Sequence, residues 1–429
     1  MKVRSNKWLP HSLVCIFILL KIENTSGEGI TLIEGAVAKG AVCLDGSPPA
    51  YQFDAGFGEG LQNWLVHIQG GGWCYSVKDC YNRTYNLYGS SKNMKSSDYN
   101  FTGIMSNKQE LNPNFYNWNR VVMRYCDGSS FTGDVETVDP ATNLHFRGAR
   151  VFNAIVDELL SKGMKFASNA LLSGSSAGGL ASILHCDKFR DLFPKSTRVK
   201  CFSDAGYFAH VKDLSGEYKF EGYYDMIVTL HGSSKNLNPE CTSKMKPSLC
   251  FYPQFVIPYV KTPVFMLQTT YDTFQVQNIL ATPQADPKGL FTKCKEDINV
   301  CSSAQIQRLQ DFRWEFLEAF LVVGNGTSRG WFVNNCFTHG QCEYQSKWSG
   351  NPAWELNHKA IAQAVGDWFY DRGTIQMIDT QNVLPHYCIK FDKQEHLLIT
   401  RRNIHVHRNL AGEGDRRVTG EDKETGNLQ

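Results

Sequence analysis

Leu171-Leu172-Ser173-Gly174-Ser175-Ser176-Ala177-Gly178-Gly179 decides how this chain folds. A short apolar run, Ala170–Leu172, leads into it, and a helical pattern from Ala177 to Leu192 leads out. Gly174 and Gly178 bracket Ser176 as G-x-S-x-G, which suits a sharp strand-to-helix turn, because a Cβ on either side would clash with the crossing backbone. Such a turn lifts the Ser176 hydroxyl above the end of a sheet and aims a helix N-terminus at it. The spacing by itself also fits a plain Ser/Gly loop, but a strand before it and a helix after it favour the nucleophile turn.

A serine of ordinary pKa needs a neighbouring base, itself oriented by an acid. Downstream, the strand candidate Val264–Leu267 runs into Thr270-Tyr271-Asp272, and Trp331–Val333 leads into Cys336-Phe337-Thr338-His339-Gly340. Ser176, Asp272 and His339 thus follow the chain order of α/β-hydrolases. Asp204, after Val199–Phe202, and Asp127, upstream of the serine, are rival acids. His358 is a rival base expected inside a helix, and His185 and His210 precede Asp272 and so break the order. Upstream, His67-Ile68-Gln69-Gly70-Gly71-Gly72-Trp73-Cys74 follows the strand candidate Trp64–Ile68. Its glycines let backbone amides turn toward a developing oxyanion, paired with the Ala177 amide.

Further strands are expected at Val121–Tyr125, and further helices at His145–Lys162, Ala304–Val322 and Pro352–Tyr370. Alternating strands and helices imply an α/β fold with a mostly parallel central sheet flanked by helices, in one disulfide-rich domain. At 429 residues, 42% hydrophobic and 12% aromatic, the chain has ample material for a large core. With 44 basic and 42 acidic residues, its formal charge of +2 gives no basic stripe for nucleic acid.

Lys2, Arg4 and Lys7 precede the apolar run Leu13–Leu20, the layout of a signal peptide over residues 1–26 and too short for a membrane span. The domain is expected over residues 27–378. Residues 379–429 form a divergent tail whose Gly-, Glu-, Asp- and Arg-rich end is expected to be disordered. Of 14 cysteines, removing Cys15 with the signal leaves thirteen; twelve lie from Cys43 to Cys342, enough for six disulfides, with Cys388 left over. Cys336 and Cys342 flank His339, and in a secreted chain disulfides are preferred there over a metal site. Sequons at Asn82, Asn100 and Asn325 are expected glycosylation sites.

The sequence resembles the plant pectin acetylesterase family and, more distantly, the animal Notum carboxylesterases. The matching runs include Ala36–Tyr51, Gly70–Cys74, Phe115–Arg120, Arg124–Asp134, His145–Arg150 and Cys201–Phe208. The resemblance implies an α/β-hydrolase-like fold, with Ser176 as nucleophile, His339 as base, Asp272 as its orienting acid, and Gly72, Trp73 and Ala177 as oxyanion amides. It implies a secreted serine esterase that releases acetate from acetylated homogalacturonan in the plant cell wall, with no metal or cofactor. Ser175 stands where plant members commonly carry Cys, and the family's Cys- and Pro-rich ending is replaced by Thr380–Gln429, which reads as an alternative ending that has lost a terminal disulfide.

Other positions admit two readings. Asp127 and Ser129 contribute either to substrate binding or to a capped turn. Arg147, with Arg120 and Arg124, either meets galacturonate carboxylates or forms surface ion pairs. Trp73, Trp118 and Tyr125 stack on sugar rings or fill the core. The alternatives for the whole chain are deacylation of another wall polysaccharide or of an acylated protein, and an inactive secreted glycan-binding protein.

Overall fold

Strands buried on both faces must be apolar at nearly every position, and their alternate residues then enter two separate cores. In β3 (Asn63–Ile68), Trp64, Val66 and Ile68 enter one core and Leu65 the other. The same alternation divides Val121 and Met123 from Val122 in β4 (Asn119–Met123), and Ala170 and Leu172 from Leu171 in β5 (Asn169–Ser175). The computed structural model describes residues 29–388, apart from positions 323, 325, 350–354 and 382. The proposed signal peptide, Asn325 and the tail beyond Cys388 lie outside the described residues.

Among the described residues, three strands before β4 and four after β5 complete one nine-stranded sheet. They are β1 (Ile30–Leu32), β2 (Ala50–Asp54), β3, β6 (Arg198–Asp204), β7 (Val264–Asp272), β8 (Arg329–Thr338) and β9 (Gln376–Ile378), in the spatial order β1-β2-β4-β3-β5-β6-β7-β8-β9. From β4 to β9 all pairings are parallel; β1 and β2 are antiparallel additions at one edge. The chain steps from β3 outward to β4, then crosses to β5 on the other side of β3 and continues away from it. This reversal opens a crevice beyond the carboxyl ends of β3 and β5, where doubly wound sheets place their sites.

Helices α1 (Val77–Arg83), α2 (Gly148–Ser161), α3 (Ala177–Leu184), α4 (Cys186–Arg190) and α5 (Lys219–Leu230) precede β7, and the helices Ser303–Leu321 and Ile361–Phe369 follow it. Val151, Phe152, Ile155, Val156 and Leu159 of α2 bury one face in the same core as Leu309, Phe312 and Phe316, while Ile361, Val365 and Trp368 cover the opposite face of the sheet. No helix among the described residues is long and apolar enough to cross a membrane.

The expected helix from Ala177 to Leu192 is broken at His185 into α3 and α4. His358 lies in a turn at φ 60°, outside the helix expected to contain it.

Among the described residues six disulfides join Cys43 to Cys126, Cys74 to Cys80, Cys186 to Cys201, Cys241 to Cys250, Cys294 to Cys301, and Cys336 to Cys388. This corrects the expectation of a leftover Cys388 and a lost terminal bridge: Cys388 is bridged to Cys336 of β8, and buried Cys342 is the free thiol among the described residues. The last bridge spans 52 residues and sits beside the bridge-like pairing of Cys336 with His386. Replacing both Cys336 and Cys388 by Ala is expected to lower unfolding stability by about 2–4 kcal/mol, since closure of so long a loop no longer restrains the unfolded chain. Denaturant midpoints of the two proteins under non-reducing conditions check this.

Candidate active site

The nine-residue stretch folds as a strand that turns abruptly into a helix. Ser176, at the junction of β5 and α3, has φ 58° and ψ −127°, a conformation that β5, α3 and the neighbouring strands must hold in place. Gly178 is required by close approach: a Cβ there would stand 2.1 Å from the Ile68 carbonyl oxygen at the end of β3. Gly70 meets the turn from the other side, its notional Cβ lying 2.6 Å from the Ser175 carbonyl oxygen. The glycine loop after β3 is thus in direct contact with the serine turn after β5.

Strand register brings the other two groups in. Asp272 at the end of β7 pairs with Thr338 at the end of β8, so His339 emerges beside the carboxylate. His339 Nδ1 lies 2.8 Å from Asp272 Oδ2 and 3.0 Å from Oδ1, and His339 Nε2 lies 2.8 Å from Ser176 Oγ. A carboxylate only accepts, so Nδ1 carries the proton and donates, leaving the Nε2 lone pair to accept from the serine hydroxyl. Asp272 is fully buried and also accepts the Gln275 amide at 3.0 Å, while Ser176 and His339 remain partly exposed. Burial opposes charge on the His339 ring, but the attraction and hydrogen bond of Asp272 outweigh it and raise the pKa above that of an ordinary histidine.

The glycine loop is fixed through its carbonyls. Arg83 from α1 donates to the Gly71 oxygen at 2.7 Å, and the Tyr125 hydroxyl donates to the Gly72 oxygen at 2.8 Å. Ser130 links this loop to the helix start: its hydroxyl donates to the Ala177 oxygen at 2.8 Å and accepts from Trp73 Nε1 at 2.7 Å. Among the described residues the Gly72 and Trp73 amides donate to no protein acceptor, and Ala177 is the first residue of α3, where helix amides lack an internal partner. All three amides are therefore left without a protein acceptor among the described residues.

Asp127, Ser129 and Arg147 are not brought to this crevice. Asp127 is fully buried, accepting from the Ser129 hydroxyl and from the Ser129 and Phe131 amides, and burial raises its pKa to about 6. Arg147 spends its guanidinium on the carbonyls of Gly40, Val135 and Glu136. Arg120 and Arg124 are fully buried, bonded to Asp54 and to Gln69 and Gln52. Trp118 and Tyr125 are also core, and Trp73 is packed edge-on against Phe208, Tyr224 and Phe274. Substrate contact is therefore unsuited to all these side chains, because their polar atoms already serve the scaffold. Asn82 and Asn100 are exposed.

Two groupings resemble metal sites, Cys74 with Cys80 and His231, and Cys336 with Cys388 and His386. In each the two sulfurs are already joined as a disulfide, so neither offers a thiolate.

A mostly parallel sheet with a serine on a strained turn at its switch point and a histidine–carboxylate pair against it defines an α/β-hydrolase-like protein. The Wnt deacylase Notum from Drosophila has the same fold, with a TM-score of 0.69 over 83% of this chain and 97% of that one, at 21% identity. The pectinacetylesterase family model matches residues 22–388, and the chain belongs to that family. Pectin acetylesterase 7 of Arabidopsis thaliana is 50% identical over 368 residues, covering 86% of this chain and 93% of its own length. The palmitoleoyl-protein carboxylesterase NOTUM of Mus musculus is 29% identical over 269 residues, 58% of this chain and 52% of that protein.

Arg83 and Ser130 carry no motif of their own; Ser130 lies within the Arg124–Asp134 run, but its partners Trp73 and Ala177 come from two other segments. Gly178→Ala should lower unfolding stability by about 2–3 kcal/mol, because the new methyl meets backbone rather than a movable side chain. A denaturant midpoint close to that of the parent chain would contradict the packing at the turn.

Proposed function

We propose that this chain is a secreted serine esterase that removes O-acetyl groups from pectin, acetylated homogalacturonan in the plant cell wall. The hydrogen-bonded series from Ser176 through His339 to Asp272 carries this reading, and the family supplies the substrate class. Six disulfides and the signal-like N-terminus support an extracellular location.

In this scheme Ser176 Oγ attacks the acetyl carbonyl carbon as its proton passes to His339 Nε2. The Gly72, Trp73 and Ala177 amides receive the oxyanion, and Asp272 stabilises the imidazolium. The carbon–oxygen bond to the sugar then breaks, and His339 returns the proton to the leaving sugar oxygen. Water attacks the acetyl-enzyme, giving one proton to His339 and releasing acetate as Ser176 regains its hydrogen. Every proton and charge is carried by groups of the chain, so the scheme calls on no cofactor or metal.

The aromatic packing beside the site supports a short acyl group. Trp73 is 5% exposed, and the centroid separations of Trp73–Phe208, Trp73–Phe274 and Phe208–Phe274 are 4.9, 6.1 and 5.5 Å. Rings at such spacing are in contact and leave no room between them for a long alkyl chain.

Acetate release from acetylated homogalacturonan by the purified chain tests the substrate; Ser176→Ala should reduce it by on the order of 10⁴-fold or more. If a long-chain ester of p-nitrophenol is hydrolysed far faster than the acetate and pectin yields nothing, the chain is a deacylase of another kind. Pectin binding with no hydrolysis and no phosphonate labelling of Ser176 would make it a binding protein. The base must be neutral to accept a proton, so activity is present above the raised His339 pKa and is lost as pH falls through it. The acid limb of kcat/KM for p-nitrophenyl acetate should therefore have its midpoint above the ordinary histidine value of about 6.5.

A further inference from the structure

Two carboxylates stand at the ends of adjacent strands beneath His339, and only Asp272 touches the imidazole. Asp204 ends β6, paired in register with Ser175, and is fully buried. We infer that Asp204 is a positioning residue for the reaction, holding the turn that carries Ser176 and the loop that carries His339 in one fixed relation.

Its bonds reach both sides. The Asp204 backbone oxygen accepts the Ser176 amide at 2.8 Å. Its Oδ2 accepts the amides of Gln341 at 2.6 Å and Cys342 at 2.8 Å, and lies 3.5 Å from the Ser175 hydroxyl. Ser176 is thus tied directly to Asp204, and His339 is tied through a segment beginning two residues later.

The same segment is anchored elsewhere from below. Ile104 donates its amide to the Cys342 oxygen at 2.8 Å, Thr102 donates its hydroxyl to the Glu343 oxygen at 2.6 Å, and Asn334 donates to the Gln341 side chain at 2.7 Å. His67 Nδ1 stands 2.7 Å from the Ser173 hydroxyl, and its Nε2 3.2 Å from Glu343 Oε1. This second serine–histidine–carboxylate series has its serine and histidine fully buried, and it serves as an anchor rather than a reaction site. These contacts fix the height of the segment; Asp204 also fixes its distance from the serine turn. A 1 Å error in that distance is enough to cost about 10²-fold in rate.

A merely structural acceptor needs no charge, and burying a carboxylate is costly. The charge acts on the base. His339 is faced by Asp272 from β7, by Asp204 from β6, and by Lys347 from the short helix Gln345–Trp348. Asp272 contributes most to raising the His339 pKa, Asp204 adds to it, and Lys347 opposes both. Asp204 is faced in turn by Glu343 and the Cys342 thiol; burial raises its own pKa, and the Gln341 and Cys342 amides pull it back.

The inference rests on Ser176 and His339 being the working pair, and the test separates the two. Kinetics of p-nitrophenyl acetate hydrolysis across pH, normalised to active sites by the burst of p-nitrophenol, compare the parent chain with Asp204→Asn, Asp204→Ala and Ser176→Ala. Asp204→Asn keeps an acceptor oxygen and drops the charge: kcat should fall about tenfold with KM within about threefold, and the acid limb should move to lower pH. Asp204→Ala, which removes both acceptor and charge, should lose about 10²-fold or more in kcat. If Asp204→Ala does not fold, Asp204→Asn decides alone. An Asp204→Asn enzyme with parental kcat per active site and an unmoved acid limb overturns the inference. If Ser176→Ala keeps parental activity, the reading of the site itself is what fails.

Discussion

At Ser176 the backbone is forced through φ 58° and ψ −127°, and everything functional in this molecule depends on keeping it there. No local hydrogen bond of the serine side chain to the helix it begins holds this conformation. It is imposed by the end of β3, close enough to Gly178 that a methyl would collide with the Ile68 carbonyl, and by the Asp204 carbonyl, which takes the Ser176 amide. Strain of this kind costs about 1–3 kcal/mol and persists only where neighbouring structure over-determines it. Here that structure is the central part of the sheet.

Three other non-glycine residues in the left-handed region lie in loops that follow strands of the same sheet. Ser130 and Phe131 follow β4, and Ala205 follows β6, at φ 52°, 60° and 48°. Ala205 directly follows the last residue of β6, while Ser130 and Phe131 lie in the loop after β4. Ser130 thereby spans Trp73 and Ala177, and buried Asp127 braces the turn before α2. The loops at the carboxyl edge form a hydrogen-bonded collar in which the free amides of the glycine loop are held by what grips its carbonyls. Hydrogen bonds to each of Asp127, Asp204, Asp272, Arg120 and Arg124 offset part of the cost of burying them.

Much of this was legible beforehand because parallel strands announce themselves: six apolar runs, each bounded by turn residues, correspond to β3 through β8. The antiparallel edge was not legible. Ile30–Leu32 is three residues long, and Ala50–Asp54 follows two prolines and mixes polar with apolar residues, so both become strands through pairing with a neighbour already in place. Pairing of cysteines was equally hidden, since thirteen thiols can be joined in many ways and only proximity selects among them. Cys388, left aside on sequence grounds, lies against β8, while Cys342 faces Asp204 instead of another sulfur. The two readings left open for the charged and aromatic residues could not be separated for a related reason: residue type shows what a side chain can bond, and burial decides what it does bond.

By itself, the sequence determined the alternation of strands and helices, the small residues that permit a sharp turn at Ser176, and the chain order of serine, acid and histidine. These are local properties, written in periodicity and spacing. Tertiary structure decided how the acid named from its place after the late strand reaches the imidazole, and what its rival does instead. Asp204 and Asp272 both stand at strand ends, and only contact separates their roles. The register of β7 against β8 sets Asp272 opposite Thr338, beside the His339 ring, whereas the register of β5 against β6 sets Asp204 beneath the serine turn, where it meets backbone amides. Register depends on how whole strands pack side by side, a property of the sheet rather than of any segment within it.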